Sequence, residues 1–254
     1  PSSGAELWSF QANGPWIATP LVVGETIFAP NGDGNLYALD LNGNLLWKFK
    51  ADRAMWSHPV GNGNTVYQAA LDHKLYAVDM ISGQQKWVTD LGGAVVYSPT
   101  LSEDGIIYLA TLSRELFAIN SENGEIQWRR KFEESLWSQP VLSGSQIFLG
   151  DLSNNAYALN AADGSNIWTQ KLSGPVTGQP TVTENAVIFA TEDGTLVATT
   201  HDGERLWSKT VEGKLYTGPI PMDDKLIIGV ALGETPIIMI NSDGQDIWSF
   251  VPAK

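Results

Sequence analysis

The chain has 254 residues, no cysteine, and 28 acidic against 15 basic side chains, for a formal net charge of −13. Without cysteine there are no disulfides, thiolate nucleophiles or cysteine-ligated metals, and without a block of Lys or Arg nothing supplies the counterion release that nucleic-acid affinity requires. No apolar run is long enough for a membrane-spanning helix, and the residues as written contain no signal peptide or lipobox.

In chain order, the first predicted strand is Glu6–Phe10, which contains Trp8. That residue is the first of seven tryptophans, Trp8, Trp47, Trp87, Trp128, Trp168, Trp207 and Trp248, separated by 39 to 41 residues. So regular a period is the signature of a tandem structural repeat. Whole units follow at about 16–50, 54–90, 95–132, 136–172, 176–211 and 215–250. The second unit shows the internal plan: predicted strands at 57–60, 66–70, 75–78 and 86–88, separated by turns rich in Gly, Asn, Asp and Ser. No segment carries helical periodicity of useful length.

Within each unit the third and fourth strands follow the frame Ala-x-(Asp/Asn)-x-x-x-Gly-x-x-x-Trp, as in Ala77 to Trp87 and Ala118 to Trp128. The last unit departs from it, with Met239 at the Ala position. Glycines 43, 83, 124, 164, 203 and 244 fall in the hairpin where positive φ is needed. The small Ala38, Ala77, Ala118, Ala158 and Ala198 leave room for an indole, so the tryptophans are expected to be buried structural docking residues between neighbouring sheets.

A four-stranded antiparallel sheet repeated about every forty residues is a propeller blade. The expected fold is therefore all-β, a single β-propeller domain over 1–254 with six four-stranded blades and one extra N-terminal strand. That strand is expected to pair with the edge of the final blade beside 247–250 and close the ring, the alternative being a piece of a seven- or eight-bladed propeller.

The Ala-x-(Asp/Asn)-x-x-x-Gly-x-x-x-Trp frame, in phase over residues 6 to 250, resembles the tryptophan-docking repeat of the pyrroloquinoline quinone (PQQ) propellers. That resemblance implies one of two branches. The quinoprotein dehydrogenases are longer, eight-bladed, bind PQQ and calcium, and typically carry adjacent cysteines; the BamB-like branch has the repeat without the cofactor and acts as a scaffold. The absence of cysteine, of insertions and of further blades places the expectation on the second branch, with no cofactor and no enzymatic activity.

Propeller geometry predicts that the segment leading into each first strand shares one rim with the loop between the second and third strands. Five of the six lead-in segments carry an aromatic outside the docking frame: Trp16, Trp56, Tyr97, Trp137 and Tyr216. His73 and Arg114 join them from the second-to-third loops, among carboxylates such as Asp33, Asp72, Asp151, Asp193 and Glu234. Packing between first strands accounts for such aromatics in part; the functional expectation is a mouth that grips a protein or peptide segment, with a sugar or other small ligand as the alternative.

His58 and His73 with Asp72 suggest a metal or acid/base pair, but the sequence offers no third ligand, and His201 belongs to a turn at the other end of the repeat. No Gly-x-Ser-x-Gly elbow occurs. The expectation is thus a non-catalytic scaffold of the bacterial cell envelope, periplasmic or extracellular and membrane-anchored in its full-length form. A sensor domain and, more remotely, a quinone-dependent enzyme are the competing readings.

Overall fold

In a computed structural model that describes residues 4–252, the chain contains strands and no helices, arranged as six four-stranded antiparallel sheets. Each sheet keeps its strands in sequence order, so each is a simple up-and-down meander. The first runs Leu21–Val23, Thr26–Pro30, Asn35–Asp40 and Leu45–Lys50. The last runs Ile220–Met222, Lys225–Gly229, Ile237–Asn241 and Asp246–Phe250. These are the six blades of a propeller, and their limits fall within the repeat units read from the sequence. The chain divides into two compact units, residues 1–127 and 128–254, whose interiors are built in the same way.

The local plan differs from expectation at one recurring point. The predicted strand at 57–60 starts only at Val60, because Pro59 has no N–H for a ladder. Ser57 is instead a buried loop residue whose hydroxyl donates to the Ala69 carbonyl at 3.0 Å, while Gln68 Nε2 donates to the Ser57 carbonyl at 3.0 Å.

Packing is face to face between consecutive blades. Within residues 1–127, Phe28, Leu36 and Ala38 of the first blade meet Val66, Tyr76 and Val78 of the second, with Trp47 against the cluster. The next interface joins Tyr67, Leu75 and Ala77 to Ile107, Leu109 and Phe117, with Trp87 alongside. Within residues 128–254, Phe148 and Ala158 meet Val187, Phe189 and Val197 beside Trp168, and Ile188, Leu196 and Ala198 meet Leu226, Ile228 and Ile240 beside Trp207.

Three features of the frame fix each indole. The Ala is the cross-strand partner of the Trp, as in Ala38 with Trp47, Ala77 with Trp87, Ala158 with Trp168 and Ala198 with Trp207, and a register shift follows it each time. The Asp or Asn two residues later caps the hairpin through its side chain: Asp40 Oδ1 accepts from the Asn42 and Asn44 amides, and Asp79 Oδ1 from those of Ile81 and Ser82. The turn glycine then serves two purposes. At Gly164, φ is +71°, and a Cβ would lie 2.8 Å from Cε3 of Trp128 of the preceding blade, so only hydrogen lets the indole lie flat on the turn.

Each indole also donates Nε1–H to a backbone carbonyl of that neighbouring hairpin. Trp47 bonds to Met80 at 3.0 Å, Trp87 to Ser121 at 3.1 Å, Trp128 to Ala161 at 3.0 Å, Trp168 to His201 at 2.8 Å and Trp207 to Ser242 at 2.8 Å.

Two expectations are corrected here. The docking tryptophans are half-buried rather than largely buried, because each packs one ring face on a surface hairpin and leaves the rest to solvent; Trp248 is 44% exposed. Residues 6–10 form no strand and do not extend the last sheet, which ends at Asp246–Phe250. A fourth strand needs a third strand with a free edge, and among the described residues every third strand already has its own fourth. The Trp8 side chain docks on the first blade instead, donating to the Leu41 carbonyl at 2.8 Å and lying over Gly43.

A Trp128→Ala change removes a ring face and a hydrogen bond from a half-buried site, and is expected to cost about 2 to 3 kcal/mol, below the usual figure for a fully buried aromatic. Gly164→Ala should cost about 2 kcal/mol through positive φ and the displaced indole. Urea unfolding measures both. A loss below about 0.5 kcal/mol for either change would mean that the dock does not hold the blades.

Candidate functional site

The end of each blade opposite the docking hairpins is formed by the lead-in segments and the second-to-third loops, and backbone hydrogen bonds tie them together within each unit. In residues 1–127, the Gly32 amide donates to the Pro15 carbonyl at 2.9 Å, that of Met55 to Asn31 at 3.2 Å, that of Leu71 to Ala54 at 2.9 Å and that of Leu112 to Ala94 at 2.9 Å. In residues 128–254, Leu152 donates to Ser135 at 3.2 Å, Val176 to Asp151 at 3.0 Å and Glu192 to Pro175 at 2.8 Å. Each lead-in is thus stitched to its own second-to-third loop, and Met55 and Val176 also reach the loop of the blade before.

The loops are stiffened by side chains. Asn31 Oδ1 accepts from the Asp33 amide at 2.9 Å, and Asp151 Oδ1 from those of Ser153 and Asn155 at 2.9 and 2.8 Å. In three loops a carboxylate also accepts from a tyrosine: Tyr37 donates to Asp33 at 2.6 Å, Tyr76 to Asp72 at 2.6 Å and Tyr157 to Asp151 at 2.7 Å. Burial, and then the hydrogen bond to Asp33, push Tyr37 up to about 12, and the same two causes raise Tyr76 and Tyr157. Ion pairs link Lys74 to Asp52 at 3.0 Å and Lys214 to Glu192 at 3.1 Å, both at the surface and worth at most about 1 kcal/mol each.

The structure sorts the five predicted mouth aromatics by register. Counting back from the proline of each lead-in, Trp56, Trp137 and Tyr216 occupy one position, and all three are exposed. Trp16 sits one residue earlier, where the other blades bury Met55, Val95, Leu136, Val176 and Leu215; it is exposed and makes an edge contact with Tyr37 at 5.7 Å between ring centroids. Ile17, which sequence reasoning overlooked, holds the Trp56 position in the first blade and is more than half exposed. Tyr97 falls at the position of the buried Ser57 and Ser138, so it is half-buried, and burial raises its pKa. Aligning the lead-ins on the proline rather than on the aromatics would have shown both points.

His73 and Arg114 are both exposed and both have positive φ, 72° and 68°, at the loop position that Gly34 and Gly194 take in other blades. His58 does not join His73 as a ligand pair, since its Nδ1 is held 2.8 Å from the Thr19 carbonyl. Among the described residues no three His, Asp or Glu side chains converge to hold a metal ion, so the donors do not make a calcium or zinc site. No helix there is long and apolar enough to cross a membrane.

Clefts open on the hairpin side of the blades. One of about 720 Å³ is lined by Thr183, Glu184, Ile188, Trp207, Asp224 and Asp243, and a smaller one of about 520 Å³ lies beside Trp47, Phe28 and Met80. Both lie alongside a docked indole, so they are products of the repeat.

The family model for the outer membrane protein assembly factor BamB matches residues 1–56, 41–136 and 114–251, nearly the whole chain. The chain belongs to the BamB family. The crystal structure of BamB from Moraxella catarrhalis is similar in fold, with a TM-score of 0.80 at 17% identity over 94% of this chain and 77% of that one. Comparison with curated protein sequences gives no match. The PQQ-like repeat and the six-bladed β-propeller read from the sequence agree with the family and with this fold.

The tyrosine and carboxylate pairs make the rim sensitive to alkali in a defined direction. The folded-state value of Tyr37 lies above its ordinary 10.0, so folding favours the neutral phenol. The stability it contributes is present below pH 10 and lost as pH rises from 10 toward 12. The urea midpoint should fall across that window, and Tyr37→Phe should reduce the fall. An unchanged slope in Tyr37→Phe would mean that the pair does not form in solution.

Proposed function

We propose that this chain is a non-catalytic interaction scaffold of the bacterial cell envelope that holds an extended protein segment against the rim formed by its lead-in segments. The carrying observation is that Trp56, Trp137 and Tyr216 stand exposed at one repeated position, with Ile17 in the first blade, although the neighbouring position buries an aliphatic residue in nearly every blade. The core does not require these rings. Rigid aromatics on loops braced by backbone and carboxylate hydrogen bonds give contact area at little cost in side-chain entropy, as recognition surfaces demand. His73 and Arg114 add positive charge to a chain of net charge −13, favouring a segment that carries a carboxylate among apolar residues. Membership of the BamB family supports an envelope location and a protein partner.

The test is recovery of crosslinked partners from envelope extracts, using the wild-type chain and the double variant Trp56→Ala, Trp137→Ala. At least a tenfold loss of crosslinking is expected, with the circular dichroism spectrum and the melting temperature close to wild type. Retained crosslinking refutes the rim as the binding surface. A thermal-shift series with oligosaccharides separates the other reading: a sugar at a hundredfold excess over its dissociation constant stabilises by about 2.7 kcal/mol, and such a shift lost in the double variant would reassign the rim to a carbohydrate.

A further inference from the structure

The repeat has seven docking tryptophans and six glycine hairpins, and the described residues show how they match. Glycines 43, 83, 124, 164, 203 and 244 are covered by Trp8, Trp47, Trp87, Trp128, Trp168 and Trp207, each glycine lying 35 to 37 residues after its tryptophan. Trp248 is the one left over. The dock on the first blade is already filled by Trp8, which bonds to the Leu41 carbonyl.

The rest of the last blade repeats the same message. On the face that carries the docking Trp, the third strands of earlier blades present Leu36, Leu75, Leu116, Ala156 and Leu196, all 0% exposed; the matching Ile237 of the last blade is 39% exposed. Ile220, Trp248 and Phe250 are exposed with it, on the first and outer strands. Ile227, the counterpart of the buried Phe28, Tyr67, Tyr108, Phe148 and Ile188, is only half-buried. Its other face is covered in the ordinary way, since Leu226, Ile228 and Ile240 pack with the fifth blade. One face of this sheet therefore has the residues of a blade interface without the interface, an apolar surface of the kind that marks a contact site.

We propose that this face docks one further unit of the same repeat, carried on the same polypeptide, whose hairpin glycine receives the Trp248 ring and whose adjacent carbonyl accepts its Nε1–H. The commitment to a repeat unit rests on the chemistry of the dock. An indole with a free N–H, flanked by Ile237 and Phe250, requires a positive-φ glycine beside an outward carbonyl, and each of the six docks seen supplies that pair. A second copy of the chain has no vacant glycine hairpin to offer. The fold comparison leaves room for such a unit, because this chain spans 77% of the Moraxella catarrhalis BamB chain. The residues leaving Phe250 are Val251 and Pro252, which continue outward from the strand as every earlier linker does.

The test compares residues 1–254 with the same chain extended after Lys254 by a copy of residues 214–250, which places a hairpin glycine 37 residues beyond Trp248. In the unextended chain, Trp248→Ala should leave the melting temperature within about 1 °C of wild type, unlike Trp128→Ala. In the extended chain Trp248→Ala should lower it by several degrees, less than additively with alanine at the added glycine, and residues 237–250 should gain protection from hydrogen exchange. Three results would overturn the proposal. One is an equal cost of Trp248→Ala in the unextended chain. Another is an added unit that stays open to protease, with residues 237–250 unprotected. The last is an unextended dimer, seen by light scattering, that Trp248→Ala dissociates, since a second copy would then be the occupant.

Discussion

Every other regularity of this chain follows from one contact, an indole laid flat on the glycine hairpin of the next blade with its N–H on a carbonyl there. The contact couples sheets that share no strand, so it alone ties the outer edges of adjacent blades together while the inner faces pack by apolar burial. A single dock is modest, one hydrogen bond of about 1 kcal/mol and one ring face. Repetition makes it decisive, because each blade is held by its own tryptophan on one side and by its own glycine on the other. The small Ala opposite the Trp, the Asp or Asn that caps the hairpin, and the glycine that admits the ring are three requirements of the same contact.

That arrangement separates structural from functional surface. All the docks use the hairpin between third and fourth strands, so that end of the blade is bound to the repeat frame. The opposite end, made of lead-in segments and second-to-third loops, is held by backbone bonds such as Gly32 to Pro15 and Leu152 to Ser135, which do not depend on side-chain identity. Residues there are free to vary from blade to blade, and they do: Ile17, Trp56, Val96, Trp137, Thr177 and Tyr216 occupy one position. Variation on a rigid frame is what a recognition surface needs and what a dock cannot tolerate.

The sequence made the blades legible because the Trp period, the Ala and the Gly are all local consequences of the dock. What it hid was register and partnership. Tyr97 and Trp56 look alike as aromatics near a proline, yet one residue of offset along an extended segment turns a side chain to the opposite face, which is why Tyr97 is half-buried. Residues 6–10 have the composition of an outer strand, but strand formation needs a neighbour with a free edge, and sequence says nothing about that. The Tyr37 to Asp33 pair and its repeats were equally hidden, since four to six residues of separation around a loop become a contact only when the loop folds back.

The second-to-third loops finally distinguish residues that serve the turn from residues that do not. Positive φ at a residue other than glycine costs of order 1 kcal/mol or more, and Asn and His adopt it several times more readily than most residues. Asn154 at φ 66° and His73 at 72° are therefore accounted for in good part by turn chemistry. Arg114 at 68° is not, because a guanidinium on a long stem gives its own backbone no such help, and Gly34 and Gly194 show that the position accepts glycine. Among the described rim residues, Arg114 is thus the clearest case of a side chain kept against the preference of the backbone beneath it, and it stands exposed on the end of the blade that the docks leave free.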